Sequence, residues 1–326
     1  MIRPEQLKRV PVPASIPVSG IAGDVLEGLS RTPKSLPPKL LYDAEGSALF
    51  EQITCLPEYY PTRTEAAILM THADEICARL GKNVSVGELG AGTATKTRIL
   101  LRSLLRRQFS INYFPLDVSD AALQLAKDEV EKELQAVNVH PQIGDFEDLT
   151  FLELQARPRL VLYIGSSIGN LEHADAVTLL QNVAQHLSSG DQLLLGADLV
   201  KDSRVMQAAY NDSAGITASF NKNLLVRINR ELGGHFEPDA FHHVSFWNEA
   251  ASRIELHLES ARSQSIRVDA LDMTIQFGQG ERIHTENSYK YTLERLGDLL
   301  QHGGFQLEHT WTDPHCWFAV SLGVIK

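Results

Sequence analysis

The sequence predicts an α/β protein, a doubly wound sheet of mostly parallel strands joined to a second, smaller α+β unit. Three observations point there. Between residues 84 and 197, short apolar runs of strand length alternate with amphipathic helical stretches, as βαβ units require. The first of those runs ends in Gly90-Ala91-Gly92 and leads into a helix. After Ala197 the alternation stops, and strands of antiparallel type follow two helical stretches.

Taken in order, residues 1–40 hold Pro4, Pro11, Pro13, Pro17, Pro33, Pro37 and Pro38. They read as an extended, irregular arm with one short helix near Ile21–Ser30. Residues 47–55 have a helical period, punctuated by Pro57 and Pro61, and Thr64 is placed to cap the next helix, through about Leu80. Residues 84–89 read as the first strand and 96–107 as its helix. Ile111–Asp117 is the second strand, followed by a helix over 119–133. A third strand lies within 136–145, a fourth in 160–166, then a helix over 174–187 and a strand over 192–197. Beyond it, 203–210 and 217–232 look helical, and 241–247, 254–259 and 266–277 look like antiparallel strands. A helix over 292–302 ends at Gly303-Gly304, and two strands, one at 318–322, would close the first sheet. Two discontinuous domains are therefore expected: a cofactor-type domain from 61–196 and 287–326, and a substrate-binding domain from 1–60 and 197–286.

Composition narrows the classes of function. The chain has 326 residues, 43% hydrophobic and 22% charged, which suits a folded protein with a sizeable core. Thirty basic against 41 acidic residues leave a net charge of −11, which argues against nucleic acid as a partner. No apolar run approaches the roughly 18 residues of a membrane span, and no apolar leader follows Met1, so neither membrane nor secretion is expected. Cys55, Cys77 and Cys316 are few, odd in number and far apart, so they read as reduced thiols of a cytoplasmic protein. The 12 histidines show no zinc-type spacing, and no metal is expected. A monomer is the expected state.

The loop after the first strand carries the chemistry. Gly90 and Gly92 let the backbone turn tightly and let a ligand approach the main chain. The third glycine of a dinucleotide fingerprint is missing, since Ala94, Thr95 and Lys96 follow Thr93. Glu88 precedes the loop; its carboxylate can help hold a ligand ammonium and would repel a pyrophosphate. Asp117, at the end of the second strand, can accept both ribose hydroxyls. Asp145-Phe146 ends the third strand, with an acceptor for an adenine amino group beside an aromatic face. Each carboxylate has a local alternative, Asp117 as a helix cap and Asp145 as a turn residue. At successive strand ends a shared nucleoside pocket is the better account. A ribose, an adenine and a cationic amino-acid tail without phosphate describe S-adenosylmethionine. Residues 84–197 thus resemble a Rossmann-like class I methyltransferase.

Further motifs extend the resemblance along nearly the whole chain. Tyr42-Asp43-Ala44-Glu45-Gly46-Ser47, Leu56-Pro57-Glu58-Tyr59-Tyr60-Pro61-Thr62-Arg63, Gly165-Ser166-Ser167-Ile168-Gly169-Asn170-Leu171, Ala209-Tyr210-Asn211-Asp212 and Ile283-His284-Thr285-Glu286-Asn287-Ser288-Tyr289-Lys290 look like the L-histidine Nα-methyltransferases of ergothioneine biosynthesis. That resemblance implies that Asn170 and Tyr210 hold the substrate carboxylate and that Glu286 and Ser288 read the imidazole. It implies that Tyr42 lies near the substrate amine and acts in catalysis, and that Tyr59 lines the same pocket. On the cofactor side it implies Gly90, Lys96, Asp117, Asp145 and Phe146; the glycine-loop reading adds Glu88 and Gly92. A methionine often lies in that family at the position of Leu256. Leucine nearly conserves its volume, so this departure bears on fine selectivity.

The residue types suit the task. An amide and a phenol bind a carboxylate by directed hydrogen bonds. A site whose buried polar groups are matched to an imidazole rejects a substrate that leaves them unpaired. Methyl transfer is an in-line displacement that rests mainly on alignment and on a neutral amine. Water or Tyr42, and not a strong dedicated base, is expected to help that amine lose its proton. Three transfers would yield hercynine, the trimethylated histidine. Two other readings stay open: an Nα-methyltransferase for another aromatic amino acid such as tryptophan or tyrosine, and a non-catalytic protein that senses a nucleoside metabolite.

Overall fold

The computed structural model describes residues 20–146 and 148–326; the arm expected at the N-terminus lies outside them as far as Ser19. α1 (Ile21–Ser30) leads to a two-residue strand β1 (Lys34–Ser35), a 3₁₀ turn (Pro38–Leu41) and α2 (Ala44–Thr54). α3 spans Tyr60–Arg79, four residues earlier than Thr64. Thr64 is not its cap: Pro61, which has no N–H to lose, already sits in the first turn, and the Thr64 hydroxyl donates back to the Tyr60 carbonyl at 2.8 Å.

The main sheet then begins with β2 (Ser85–Leu89), every residue of it buried. α4 (Thr97–Leu105), β3 (Ile111–Asp117) and α5 (Asp120–Glu133) follow, with Ser119 capping α5 by accepting from the Ala122 N–H. The third strand is split into β4 (Val137–Val139) and β5 (Gln142–Ile143), both paired to β3. Pro141 between them has no N–H to give the ladder. β6 (Arg159–Tyr163), α6 (His173–His186) and β7 (Gln192–Asp198) complete the parallel series.

An insertion follows. α7 (Ser203–Ala209) and α8 (Ile216–Leu232) precede the strands β8 (Phe241–Asn248), β9 (Arg253–Ser260), β10 (Gln264–Val268), β11 (Met273–Phe277) and β12 (Arg282–Tyr289). Four of the strands form a sheet in the order β1-β12-β9-β8, while β10 and β11 pair with each other. α9 (Leu293–His302) and the antiparallel pair β13 (Gln306–Thr312) and β14 (Phe318–Val324) return to the first sheet. β14 lies antiparallel on β7, so the terminal strands do close it.

The main sheet runs β13-β14-β7-β6-β2-β3-β4, with β5 beside β3. From β2 the chain moves to β3 on one side and later returns to β6 on the other. The direction of winding therefore reverses between β2 and β6, and the loops after these strands flank a crevice at their carboxyl ends, where open α/β sheets bind ligands. Ile68, Leu100 and Val130 pack one face of this sheet, and Leu152, Leu180 and Leu299 the other. A separate core, with Val25, Leu41, Leu224, Ile228 and Leu258, fills the antiparallel unit.

β12 was not expected as a strand. Its ladder to β9 continues through Tyr289, so the boundary set between residues 286 and 287 falls inside it. The crossing to the main sheet comes just afterwards, where the Tyr291 N–H donates to the Asp198 carbonyl at 2.9 Å. The pairing of β12 with β9 slips by one residue between His284 and Glu286, leaving Thr285 as a bulge.

Candidate functional site

One pocket lies where the antiparallel sheet meets the carboxyl ends of β6 and β7. It encloses about 530 Å³ of empty space, counting its open mouth. Tyr42, Tyr59, Asn170, Tyr210, Leu256, Glu286 and Ser288 all line it, joined by Phe50, Phe220 and the backbone turn at Gly165 to Ser167. These seven positions come from six separate stretches of chain.

Its aromatic wall starts at Tyr42, the residue that ends the 3₁₀ turn before α2. The Tyr42 ring meets Phe50 and Phe220 edge-on at 5.6 and 5.4 Å, and Tyr59 meets Phe50 and Tyr210 at 6.2 and 6.0 Å. Burial, and then the nearby Glu286, raise the Tyr42 phenol well above its ordinary value. It therefore stays protonated at neutral pH and can exchange hydrogen bonds with an amine, but it is no phenolate base.

The polar wall is one face of β12. Beyond the bulge, Glu286 and Ser288 face the pocket, while Asn287 and Tyr289 face the opposite side and bond Glu172. Glu286 accepts from the Asn170 amide at 3.1 Å, and the Tyr210 hydroxyl lies 2.7 Å from Ser288 Oγ. Each contact joins an expected carboxylate holder to an expected imidazole reader, so these groups are paired among themselves. Burial pushes the Glu286 carboxyl up to about 7, opposed by Lys290 and by the Asn170 bond. Asn170 reaches this position because the 3₁₀ turn Ser167–Asn170 packs tightly on β12. Gly169 makes that approach possible, since a Cβ there would stand 2.9 Å from the Tyr289 carbonyl oxygen.

Beneath Tyr210 and Ser288 lies a buried charge cluster that sequence reasoning missed. Lys290 Nζ is 2.8 Å from both hydroxyl oxygens and 2.7 Å from Asp198 Oδ2. Asp198 also accepts from Lys201 at 2.5 Å and from the Tyr60 hydroxyl at 2.7 Å. Against its burial, which would raise it, the two ammonium groups hold Asp198 below the usual carboxylate range. Lys290 stands two residues beyond Ser288, just past the end of β12 and on the same side as Ser288, a signal available only once β12 is known to be a strand.

The cofactor-type loop sits on the other side of α2. Gly90 and Gly92 adopt positive φ, 66° and 52°, a region that residues with a side chain rarely enter. The Gly90 and Ala91 N–H groups donate to the Leu116 carbonyl, and the Gly92 N–H to Asp117 Oδ2 at 2.9 Å. Asp117 Oδ1 accepts from the Ser119 N–H, so this carboxylate ties the loop to the end of β3. Its oxygens retain lone pairs for further donors. The Phe146 ring lies against Gly90, where an added Cβ would meet it at 3.7 Å. Asp145 precedes it in the chain.

Two expected cofactor contacts are engaged elsewhere. Glu88 is 1% exposed and accepts from the Thr97 hydroxyl at 2.7 and 2.8 Å and from the Tyr113 hydroxyl. Lys96 pairs with the fully buried Glu65, whose carboxylate also accepts from the Gly165 N–H at 2.9 and 3.0 Å. Glu65, a second residue missed from sequence, thereby fixes the β2 loop to the β6 loop. The α2 helix adds a bridge: Phe50 lines the pocket, while Ser47 bonds Ser119 and Glu51 bonds Thr93.

These features fit a nucleoside cofactor. A strand-end carboxylate with free lone pairs lies beside an open glycine turn and an aromatic ring, and Lys96, which could otherwise draw a phosphate, is neutralised by Glu65.

Comparison with known proteins agrees with this geometry. The model of a family described as histidine-specific, S-adenosylmethionine-dependent methyltransferases matches residues 21–324. The histidine N-alpha-methyltransferase of Mycolicibacterium smegmatis is 45% identical over 301 residues, 92% of this chain and 94% of that protein. Ergothioneine biosynthesis protein 1 of Neurospora crassa is 32% identical over 290 residues, 86% of this chain but 32% of that longer protein. The 4-dimethylallyltryptophan N-methyltransferase of Claviceps purpurea is more distant, 27% identical over 321 residues, 91% of this chain and 92% of that one. The chain therefore belongs to the family of histidine-specific, S-adenosylmethionine-dependent methyltransferases.

Proposed function

We propose that this protein methylates the α-amino nitrogen of L-histidine three times, giving hercynine as the first step of ergothioneine biosynthesis. The observation that carries the reading is the pocket itself, which gathers all seven expected substrate positions and sets the buried Glu286 among them. S-adenosylmethionine, when bound, supplies an electrophilic methyl group on a sulfonium sulfur. Gly90, Gly92, Asp117, Asp145 and Phe146 would hold it, with Glu88, Glu65 and Lys96 bracing the loops around it.

The chain's own residues then have separate tasks. Asn170 has a second amide N–H beyond the one given to Glu286, and Tyr210 has a phenol; both can donate to the substrate carboxylate. The open oxygen of Glu286 can accept an imidazole N–H, and Ser288 can serve the other ring nitrogen. Tyr42 keeps its proton and can orient the amine, which attacks only in its neutral form. Alignment in a pocket walled by Phe50, Tyr59 and Phe220 supplies most of the acceleration. Among the described residues no helix is long and apolar enough to cross a membrane. A cytoplasmic, monomeric enzyme is part of the proposal.

Mass spectrometry of the product made from L-histidine and S-adenosylmethionine tests this reading. A product heavier than histidine by three methylene increments is the expected result. Turnover of tryptophan or tyrosine without turnover of histidine would replace it with the other-aromatic reading, and no turnover at all would favour a sensor.

A further inference from the structure

We infer that Lys290 is a positioning residue for the substrate carboxylate, directing a hydroxyl proton of the Tyr210–Ser288 pair into the pocket and placing positive charge behind it. The inference rests on the histidine reading above and deepens it.

Lys290 is 0% exposed, and its three N–H donors are matched by three acceptors: the Tyr210 hydroxyl, Ser288 Oγ and Asp198 Oδ2. An ammonium can only donate, so both hydroxyl oxygens accept from it. The 2.7 Å contact between the two hydroxyls uses one of their two protons. The other proton has no acceptor within this triad, and both side chains line the pocket, so it is free to turn toward a ligand. A donor pointing outward suits an anionic acceptor and disfavours a group that itself only donates.

Charge count points the same way. Lys290 and Lys201 share the single carboxylate of Asp198, and the third partner, Tyr60, is a neutral phenol. Among the groups in direct contact, positive charges thus outnumber negative ones by one behind Tyr210; the next carboxylates are Glu286, in the pocket wall, and Asp313, near Lys201. Hydrogen bonds polarised by an ammonium are stronger donors than neutral ones. A substrate carboxylate at Tyr210 would meet such a donor without the cation itself entering the pocket. Packing alone does not call for this arrangement, because a fully buried ammonium is costly to desolvate and an apolar side chain would fill the space.

The test is isothermal titration of the full-length protein, with S-adenosylhomocysteine bound, using L-histidine and L-histidinamide. The amide keeps the shape and loses the carboxylate charge. Wild type should prefer histidine. Lys290→Met should lower that preference by about tenfold or more while leaving the affinity for S-adenosylhomocysteine unchanged. This variant leaves Asp198 paired with Lys201, so no carboxylate is stranded. Lys290→Gln, which keeps N–H donors without the charge, should show a smaller loss and carries the test if the methionine variant does not fold. In Tyr210→Phe the relay is absent, so adding Lys290→Met should cost little more. Equal weakening of histidine and histidinamide, or additive effects of the two substitutions, would overturn the inference and leave Lys290 a structural tie between β12 and β7. If wild type binds neither ligand, the histidine reading itself fails and takes this inference with it.

Discussion

Glu88 and Glu286 offer a comparison between the floor of the glycine loop and the proposed substrate pocket. Both are buried, and desolvation pushes both carboxyls up to about 7. Their partners differ. Glu88 is enclosed by two hydroxyl donors, those of Thr97 and Tyr113, and faces protein. Glu286 has the Asn170 amide and an open side toward the cavity. A shifted pKa alone therefore does not separate a structural carboxylate from a ligand-reading one; the unfilled hydrogen-bonding capacity does.

Replacing each glutamate in turn should separate stability from recognition. Glu88→Ala strands the buried Tyr113 hydroxyl and the Thr97 hydroxyl, and should cost about 2–4 kcal/mol of stability in urea unfolding. The folded fraction should keep its preference for histidine over tryptophan. A stable Glu88→Ala protein that had lost that preference would erase the contrast.

Glu286→Ala should do the reverse. It should hold or slightly gain stability, because a desolvated carboxylate is removed, while kcat/KM for histidine falls about 10–100-fold. Turnover of tryptophan relative to histidine should rise. The pH dependence sharpens the point. A carboxyl whose folded-state pKa is raised from 4.5 to about 7 binds its proton more tightly in the folded protein. Its contribution to stability is therefore lost as pH rises through that window. Gln at either position should flatten the stability profile there. Only Glu286→Gln should also flatten the change in histidine affinity, which is expected to weaken in wild type as pH falls below about 7 and Glu286 gains a proton. Equal effects of both Gln variants on binding would contradict the assignment.

The smallest effect is expected at Leu256, 1% exposed in the pocket wall. Leu256→Met nearly conserves volume and should change stability by less than about 1.5 kcal/mol. Any change should lie in the ratio of histidine to tryptophan turnover, measured in competition.

Legibility followed local chemistry. Ile111–Asp117 and the glycine turn were readable because a buried parallel strand and a positive-φ loop leave local marks. The split of the third strand is written in Pro141, although residues 136–145 by themselves suggest a single run. β12 was missed because its sequence, Arg-Ile-His-Thr-Glu-Asn-Ser-Tyr, has no apolar alternation; one face lines a pocket and the other carries hydrogen-bonded polar groups. The proposed substrate residues came from resemblance to a family and not from periodicity, since only the tertiary fold brings residues 42, 59, 170, 210, 256, 286 and 288 together. Lys290 and Glu65 acquire meaning only from partners distant in the chain, Asp198 and Lys96.

The bulge at Thr285 sets the phase of everything that follows on β12. Ile283 belongs to the apolar core on the same side as Glu286 and Ser288, although an unbroken strand would place residues 283 and 286 on opposite sides. Were Thr285 drawn into the ladder instead of bulging from it, the downstream strand would turn its other face inward, presenting Asn287 and Tyr289 to the pocket, whereas loss of Thr285 would leave Glu286 opposite Leu256 as it is now. The pocket wall is thus held by a reading frame in three dimensions, set by one residue that the ladder leaves out.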